Sequence, residues 1–251
     1  MERAIPDLSA GAELPRGFPR PFPVRGDGGR PVRYRLTAAA CRAAMRGTLG
    51  RRLHIEGLEN VPRTGPLLIA SNHLSNLDPM LLGGYSPGAN GTMAKVELFA
   101  NPGFAWLLGG CNTFPVDRGA ADRWALKTAL AVLGHGGRFI LWVEGTRALT
   151  PGMKRAEAGV GFLLRRHNVP VLPVAITGTE AALVRGRRLP RRVPVTVRYG
   201  SPVRLDLGEG RRGDNQAVAD RVGTLIAALL PESYRGYYAG SAAALLAGGA
   251  P

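Results

Sequence analysis

A histidine and an aspartate stand five residues apart in Ser71-Asn72-His73-Leu74-Ser75-Asn76-Leu77-Asp78-Pro79, where an apolar run gives way to a polar turn and then to a helix start. A carboxylate at that spacing can fold back across the turn to the imidazole. It would fix the tautomer and stabilise the imidazolium, which is the orienting half of a catalytic triad without its serine. A plainer reading has Asp78 as N-cap, Pro79 at the first helical position and His73 as a satisfied loop histidine. Capping and orienting compete for the same carboxylate. The other histidines are most simply structural: His54 in a short strand pattern, His135 in a glycine turn and His167 at a helix end, where the dipole favours it.

Further segments carry chemistry. In Trp142-Val143-Glu144-Gly145-Thr146-Arg147 a charge, a flexible backbone point, a hydroxyl and a guanidinium follow an apolar run. A guanidinium there suits bidentate phosphate binding. Phe114-Pro115-Val116-Asp117-Arg118 is an extended run ending in an acid–arginine pair that a local salt bridge would also explain. Val169-Pro170-Val171-Leu172-Pro173-Val174 reads as a strand with two prolines, more often architectural than catalytic. Lys154 could reach a phosphate as a point charge.

The elements that must position these groups follow from periodicity and punctuation. Strands are expected over 51–56, 67–71, 92–95, 112–116, 139–143, 171–177 and 193–199. Helices are expected over 37–49 with Thr37 as N-cap, from Asp78, over 97–108 with a break at Asn101-Pro102-Gly103, and over 122–133, 158–167 and 216–229. Strands alternating with helices predict a single α/β domain over 37–233, with a mixed, mostly parallel sheet flanked by helices. Ligands in such sheets sit beyond the carboxyl ends of the strands. Residues 1–36, rich in proline, glycine and arginine, read as a disordered basic arm before an N-terminal helix, and 234–251 as a C-terminal tail.

Composition sets the outer limits. With 251 residues and 45% hydrophobic content, a sizeable core is available. Two scattered cysteines, Cys41 and Cys111, exclude a disulfide scaffold and a cysteine-rich metal site, and no HExxH or His/Cys cluster occurs. No signal peptide or run of spanning length is visible, so the chain is not expected to be secreted and any membrane role would be peripheral. The net charge of +15 favours anionic partners. It concentrates over 151–212, around Arg185, Arg187, Arg188, Arg191 and Arg192, which form either a solvated loop or a functional basic patch. A nucleic-acid-binding protein is the competing class, but no binding motif or base-stacking pattern accompanies an aromatic content of 6%. No nucleic-acid partner is expected.

Together and in this order, these segments resemble the PlsC-like glycerolipid acyltransferase family. Asn72, His73 and Asp78 match its Asn-His-x4-Asp motif, and Phe114 and Arg118 its second motif. Glu144, Gly145, Thr146 and Arg147 match Phe-Pro-Glu-Gly-Thr-Arg, with Trp142-Val143 in place of Phe-Pro. Residues 169–174, including Pro173, match its Val-Pro-x-x-Pro-Val strand. The resemblance covers roughly residues 50–200. It implies transfer of a fatty acyl group from a thioester, acyl-CoA or acyl carrier protein, to the free hydroxyl of 1-acyl-glycerol-3-phosphate or a related acceptor, at the cytoplasmic side of an anionic membrane. A thioester is already activated, so no enzyme nucleophile, metal or cofactor is expected, and the chain has no Gly-x-Ser-x-Gly elbow. The expected roles are His73 as general base, Asp78 as its orienter, and Arg118, Arg147 and Lys154 as the acceptor-phosphate site. Glu144 would fix the neighbouring arginine or the acceptor polyol, Gly145 would let backbone approach the substrate, and Thr146 belongs to the same substrate-binding set. Phe99, Phe104, Trp106, Leu107 and Leu108 are candidates for an acyl groove, ordinary helix packing being the alternative.

Overall fold

The computed structural model describes residues 31–116, 122–148, 150–184, 186–187, 189–207 and 214–248. Arg118, Arg185 and Arg188, and residues 1–30 of the expected arm, lie outside them.

Helix α1, Val32–Leu49, buries Tyr34, Thr37, Ala38, Cys41, Met45 and Leu49, a single stripe at three- and four-residue spacing. It begins five residues before the expected start, so 32–36 are helix rather than arm. Tyr34 explains why. It belongs to the same stripe, is fully buried, and its hydroxyl accepts from the backbone and side-chain nitrogens of Asn90, both at 3.3 Å. Thr37 is therefore not the N-cap. Its hydroxyl turns back to the carbonyls of Arg33 and Tyr34 at 3.0 and 3.1 Å, the bond of a threonine inside a helix. Arg192 donates to the carbonyls of Gly47 and Thr48, both at 3.2 Å, so one arginine of the basic block closes the carboxyl end of α1.

The sheet contains β1 Leu53–Glu56, β2 Leu67–Ser71, β3 Asn90–Lys95, β4 Thr113–Val116, β5 Arg138–Trp142, β6 Val171–Thr177 and β7 Val195–Tyr199. Their spatial order is β1-β7-β6-β2-β5-β3-β4. Pairing is parallel except between β6 and β7, so the mostly parallel mixed sheet expected from the sequence is present. The helices α2 Asp78–Tyr85, α3 Pro102–Gly110, α4 Asp122–Gly134 and α5 Gly159–Arg166 make the crossovers between successive parallel strands. The break at Asn101-Pro102-Gly103 becomes the start of α3: the Asn101 side chain accepts from Phe104 N at 3.1 Å and Pro102 takes the first helical position.

Strand β2 lies between β5 and β6 at the centre, with all five residues buried, and its apolar side chains feed cores on both faces. The carboxyl ends of β2 and β5 therefore emerge side by side, where Ser71 pairs with Trp142. That register puts His73 and Glu144 in one place.

Beyond β6 come the single turn α6, Thr179–Ala182, and the long helix α7, Asn215–Ala228. The expected tail folds instead into α8 Glu232–Arg235, a short 3-10 turn at Gly236–Tyr238 and α9 Ala239–Leu246. Tyr238 and Ala242 are buried in the main core. Gly223 of α7 makes this possible, since a Cβ there would lie 2.3 Å from the Tyr238 ring. The composition of this segment, small residues and scattered tyrosines, hid an apolar face that only docking on α7 reveals.

Candidate active site

Asp78 does not cap its helix. Leu77 holds the N-cap position, and Asp78 points its carboxylate back over the preceding turn. Oδ2 accepts from Leu74 N at 2.7 Å, from Ser75 N at 2.8 Å and from His73 Nδ1 at 2.8 Å. A carboxylate oxygen only accepts, so Nδ1 is the donor here, which in the neutral imidazole leaves the lone pair on Nε2. The turn closes through Asp78 N donating to Ser75 O at 3.2 Å. Asp78 is fully buried, whereas 10% of the His73 side chain is exposed.

Asn72 anchors this loop to the sheet. Its amide donates to Ile176 O at 2.9 Å and accepts from Ile176 N at 2.8 Å, so a side chain pairs with β6 as a strand backbone would. Pro173 lies in the same strand, in register with Ala70, and its carbonyl accepts from Gly200 N at 2.9 Å. Phe114 sits away from the chemistry: it is buried, and its ring stacks 6.5 Å from Phe139. Asn72, Pro173 and Phe114 thus serve architecture.

Trp142 stacks on the His73 ring, centroids 4.4 Å apart and planes 21° from parallel. Val143, standing where the resembling motif has proline, donates its N–H to Ser71 O at 3.0 Å, a bond proline could not make. Valine in place of proline therefore adds one tie between the two loops.

Glu144 ties two loops together: Oε1 accepts from His73 N at 3.1 Å and Oε2 from Lys154 N at 2.9 Å. It is a buried brace joining the His73 loop to the 151–157 loop. Burial pushes its carboxyl above the usual range, and the N–H groups of Lys154 and His73, with the nearby cationic charge, pull the other way. Gly145 follows in the left-handed region at φ +64, where a Cβ would also press on Glu157 at 3.1 Å.

Ala148 N donates to His73 O at 2.8 Å, which keeps Arg147 beside the imidazole loop. Neither the Arg147 guanidinium nor the Lys154 ammonium makes a hydrogen bond or ion pair to another described residue; Thr146 and Lys154 are exposed and Arg147 half-buried. The structure thus gathers His73, Asp78, Glu144, Gly145, Thr146, Arg147 and Lys154. No group of metal-ligating side chains occurs among the described residues.

Beside this site a cavity of about 120 Å³ is lined by Asn76, Met80 and Gly83 of the His73–α2 segment, by Thr92 and Met93 of β3, and by Phe104, Leu107 and Leu108 of α3. Phe104, Leu107 and Leu108 thus line a cavity, as the sequence allowed, while Phe99 is buried elsewhere and Trp106 points outward, 59% exposed. Nothing in the sequence signals the Trp142 stack, or that Glu144 spends its carboxylate on backbone; both depend on β2 and β5 being neighbours.

The arrangement is that of an imidazole oriented by a carboxylate, next to a guanidinium with no hydrogen bond or ion pair among the described residues and beside an apolar cavity. It suits proton removal from a hydroxyl next to an anionic group. Comparison with known proteins points the same way. The Acyltransferase family profile matches residues 52–177. The 1-acyl-sn-glycerol-3-phosphate acyltransferase of Cocos nucifera is 30% identical over 190 residues, covering 74% of this chain and 60% of that protein. The alpha enzyme of Homo sapiens is 29% identical over 177 residues, 69% of this chain and 62% of that one. The chain thus spans about three fifths of the length of these curated relatives. The crystal structure of the 1-acyl-sn-glycerophosphate (LPA) acyltransferase PlsC from Thermotoga maritima superimposes with a TM-score of 0.63 at 26% identity, covering 75% of this chain and 76% of that one. The profile match extends over half of the chain and takes in the His73, Glu144 and Pro173 segments, so the chain belongs to the acyltransferase family, on its PlsC-like branch.

Proposed function

We propose that the protein transfers a fatty acyl group from an acyl thioester, acyl-CoA or acyl carrier protein, to the free hydroxyl of 1-acyl-glycerol-3-phosphate, giving phosphatidic acid. The observation that carries this is the His73–Asp78 pair, with Nδ1 held at 2.8 Å and Nε2 left as a base. The names of the relatives support the acceptor.

In this reading His73 Nε2 removes the acceptor hydroxyl proton as the oxygen attacks the thioester carbonyl. Asp78 stabilises the imidazolium so formed. The tetrahedral intermediate collapses with cleavage of the C–S bond, and the imidazolium returns its proton to the departing thiolate. Arg147 and Lys154, whose charged ends make no hydrogen bond or ion pair to another described residue, hold the acceptor phosphate, Arg147 through its fork of donors. Arg118 is assigned to the same phosphate on the motif alone. The acyl chain enters the cavity between α2, β3 and α3. No resident cofactor or metal takes part.

The protein works on the cytoplasmic face of an anionic membrane as a peripheral enzyme. No described helix is long and apolar enough to cross a membrane. Val32 and Leu36 of α1 and Phe104 and Trp106 of α3 are exposed, and Arg33 reaches Trp106 O at 2.7 Å, which places the two apolar sets together beside a cation. That combination suits shallow insertion at an anionic interface.

The test is incubation of purified protein with a panel of acyl thioesters and glycerol-3-phosphate, lysophosphatidate, other lysophospholipids and glycolipids, with products identified by mass spectrometry. Phosphatidic acid formed in preference to all other products is the expected result. Acylation of another acceptor would transfer the reading to that acceptor, and no acylation at all would overturn it.

A further inference from the structure

Four successive positions of the 153–156 stretch are held from opposite sides. Met153 N donates to Tyr234 O at 3.0 Å, and Met153 O accepts from Tyr237 N at 2.9 Å. Lys154 N turns the other way, to Glu144 Oε2 at 2.9 Å. Arg155 clamps Asp220 of α7 through Nε and Nη2, the shorter contact being 2.6 Å. Ala156 N donates to the Tyr238 hydroxyl at 2.8 Å, and Ala156 O accepts from Gln216 Nε2 at 2.9 Å. Glu157 N then returns to the catalytic loop, at Val143 O, 2.8 Å away.

The segment from Tyr234 to Tyr238 is shaped for this contact. Gly236 has φ +52, and a Cβ there would stand 2.3 Å from Met153 O. Tyr238 is 2% exposed; its hydroxyl accepts from Ala156 and donates to Asp220 Oδ1 at 2.8 Å, so both capacities of the group are used. The exposed Arg155–Asp220 ion pair contributes little by itself, whereas removing the buried hydroxyl strands the Ala156 N–H; Asp220 Oδ1 keeps Arg155 Nε at 3.2 Å and Gln216 Nε2 at 3.1 Å.

We infer that the C-terminal segment 231–246 is a positioning element of the acceptor site: Tyr238, anchored on Asp220, holds the 151–157 loop so that the Lys154 backbone meets Glu144 and its ammonium is available to the acceptor. Tyr238 touches no reacting group and acts through the loop backbone. The inference rests on the reading of Lys154 as a holder of acceptor phosphate.

The experiment compares the full chain with Tyr238→Phe and Lys154→Ala, measuring acceptor KM, thioester KM and kcat, with amide hydrogen exchange over 151–157. Phenylalanine keeps the ring in the core and removes only the hydroxyl. Expected in Tyr238→Phe are an acceptor KM raised about fivefold to tenfold, thioester KM and kcat within twofold, and faster exchange at Lys154 and Ala156. Lys154→Ala should raise acceptor KM at least as much. A raised acceptor KM in Lys154→Ala with none in Tyr238→Phe overturns the positioning role and leaves the acceptor reading standing. No change of acceptor KM in Lys154→Ala overturns both. An equal loss in all three kinetic parameters of Tyr238→Phe marks general destabilisation and also overturns the inference.

Discussion

The Nδ1–H of His73 and the Oδ2 of Asp78 are 2.8 Å apart, and the same oxygen accepts from the backbone of Leu74 and Ser75. The loop that carries the imidazole is thus folded around this carboxylate. General-base assistance typically contributes ~10²–10⁴ in rate, so His73→Ala should lower kcat by that much while thioester binding survives. Asp78→Asn keeps an acceptor for the loop N–H groups and removes the charge that stabilises the imidazolium; kcat should fall by a smaller factor. The double variant should cost far less than the product of the two. Steady-state kinetics beside thermal melts check this, and normal activity in either single variant removes the pair from the mechanism.

Glu144→Gln places an amide donor against one of the two N–H groups that the carboxylate now accepts, so a loss of about 1–3 kcal/mol is expected, with lower kcat because the His73 loop loosens. The pH dependence has a definite sign. Burial raises the Glu144 carboxyl above its ordinary value of 4.5. Its contribution to stability is therefore fullest below that value and declines as pH rises through the raised one. The stability advantage of the wild type over Glu144→Gln should shrink across this window in denaturant titrations. A growing advantage would mean that the two N–H bonds outweigh burial.

Arg147→Lys keeps the charge and loses the bidentate fork. Acceptor KM should rise roughly tenfold, about 1.4 kcal/mol, with thioester KM unchanged. The reverse pattern would move Arg147 to the donor site.

Gly83 lines the apolar cavity, and a Cβ built on it meets nothing within 4 Å. Gly83→Leu should therefore fold and fill the cavity. One methylene in an apolar pocket is worth ~10–200-fold in discrimination, so kcat/KM for long acyl thioesters should drop at least ~10-fold relative to short ones. An unaltered chain-length profile would place the acyl chain elsewhere.

Trp106 and Leu36 are 59% and 63% exposed, so replacing both by serine should leave melting unaffected. Co-sedimentation with phosphatidylglycerol vesicles should weaken, and the remaining binding should become more salt-sensitive as apolar insertion is lost. Unchanged sedimentation would assign docking to another surface.

Local chemistry in the sequence determined the strands, since apolar runs such as 67–71 and 171–177 ended where turn residues began, and the register of Asn72, His73, Asp78 and Glu144–Arg147 was legible as motif. It also determined the crossover architecture, because helices alternate with those runs. Three matters were left to the tertiary structure. Asp78 had two local uses of similar merit, cap or orienter, and only the folded turn, with Leu77 as N-cap, selected the second. Glu144 had several polar candidates in sequence, and its partners, the backbone of His73 and Lys154, come together only because β2 and β5 lie side by side. The segment after residue 233 carries no long periodic stripe. Its fold comes from Tyr238 filling the gap over Gly223, a contact between residues far weaker as local signals than as complementary shapes. Chain periodicity encodes which face is buried; it does not encode what that face is buried against.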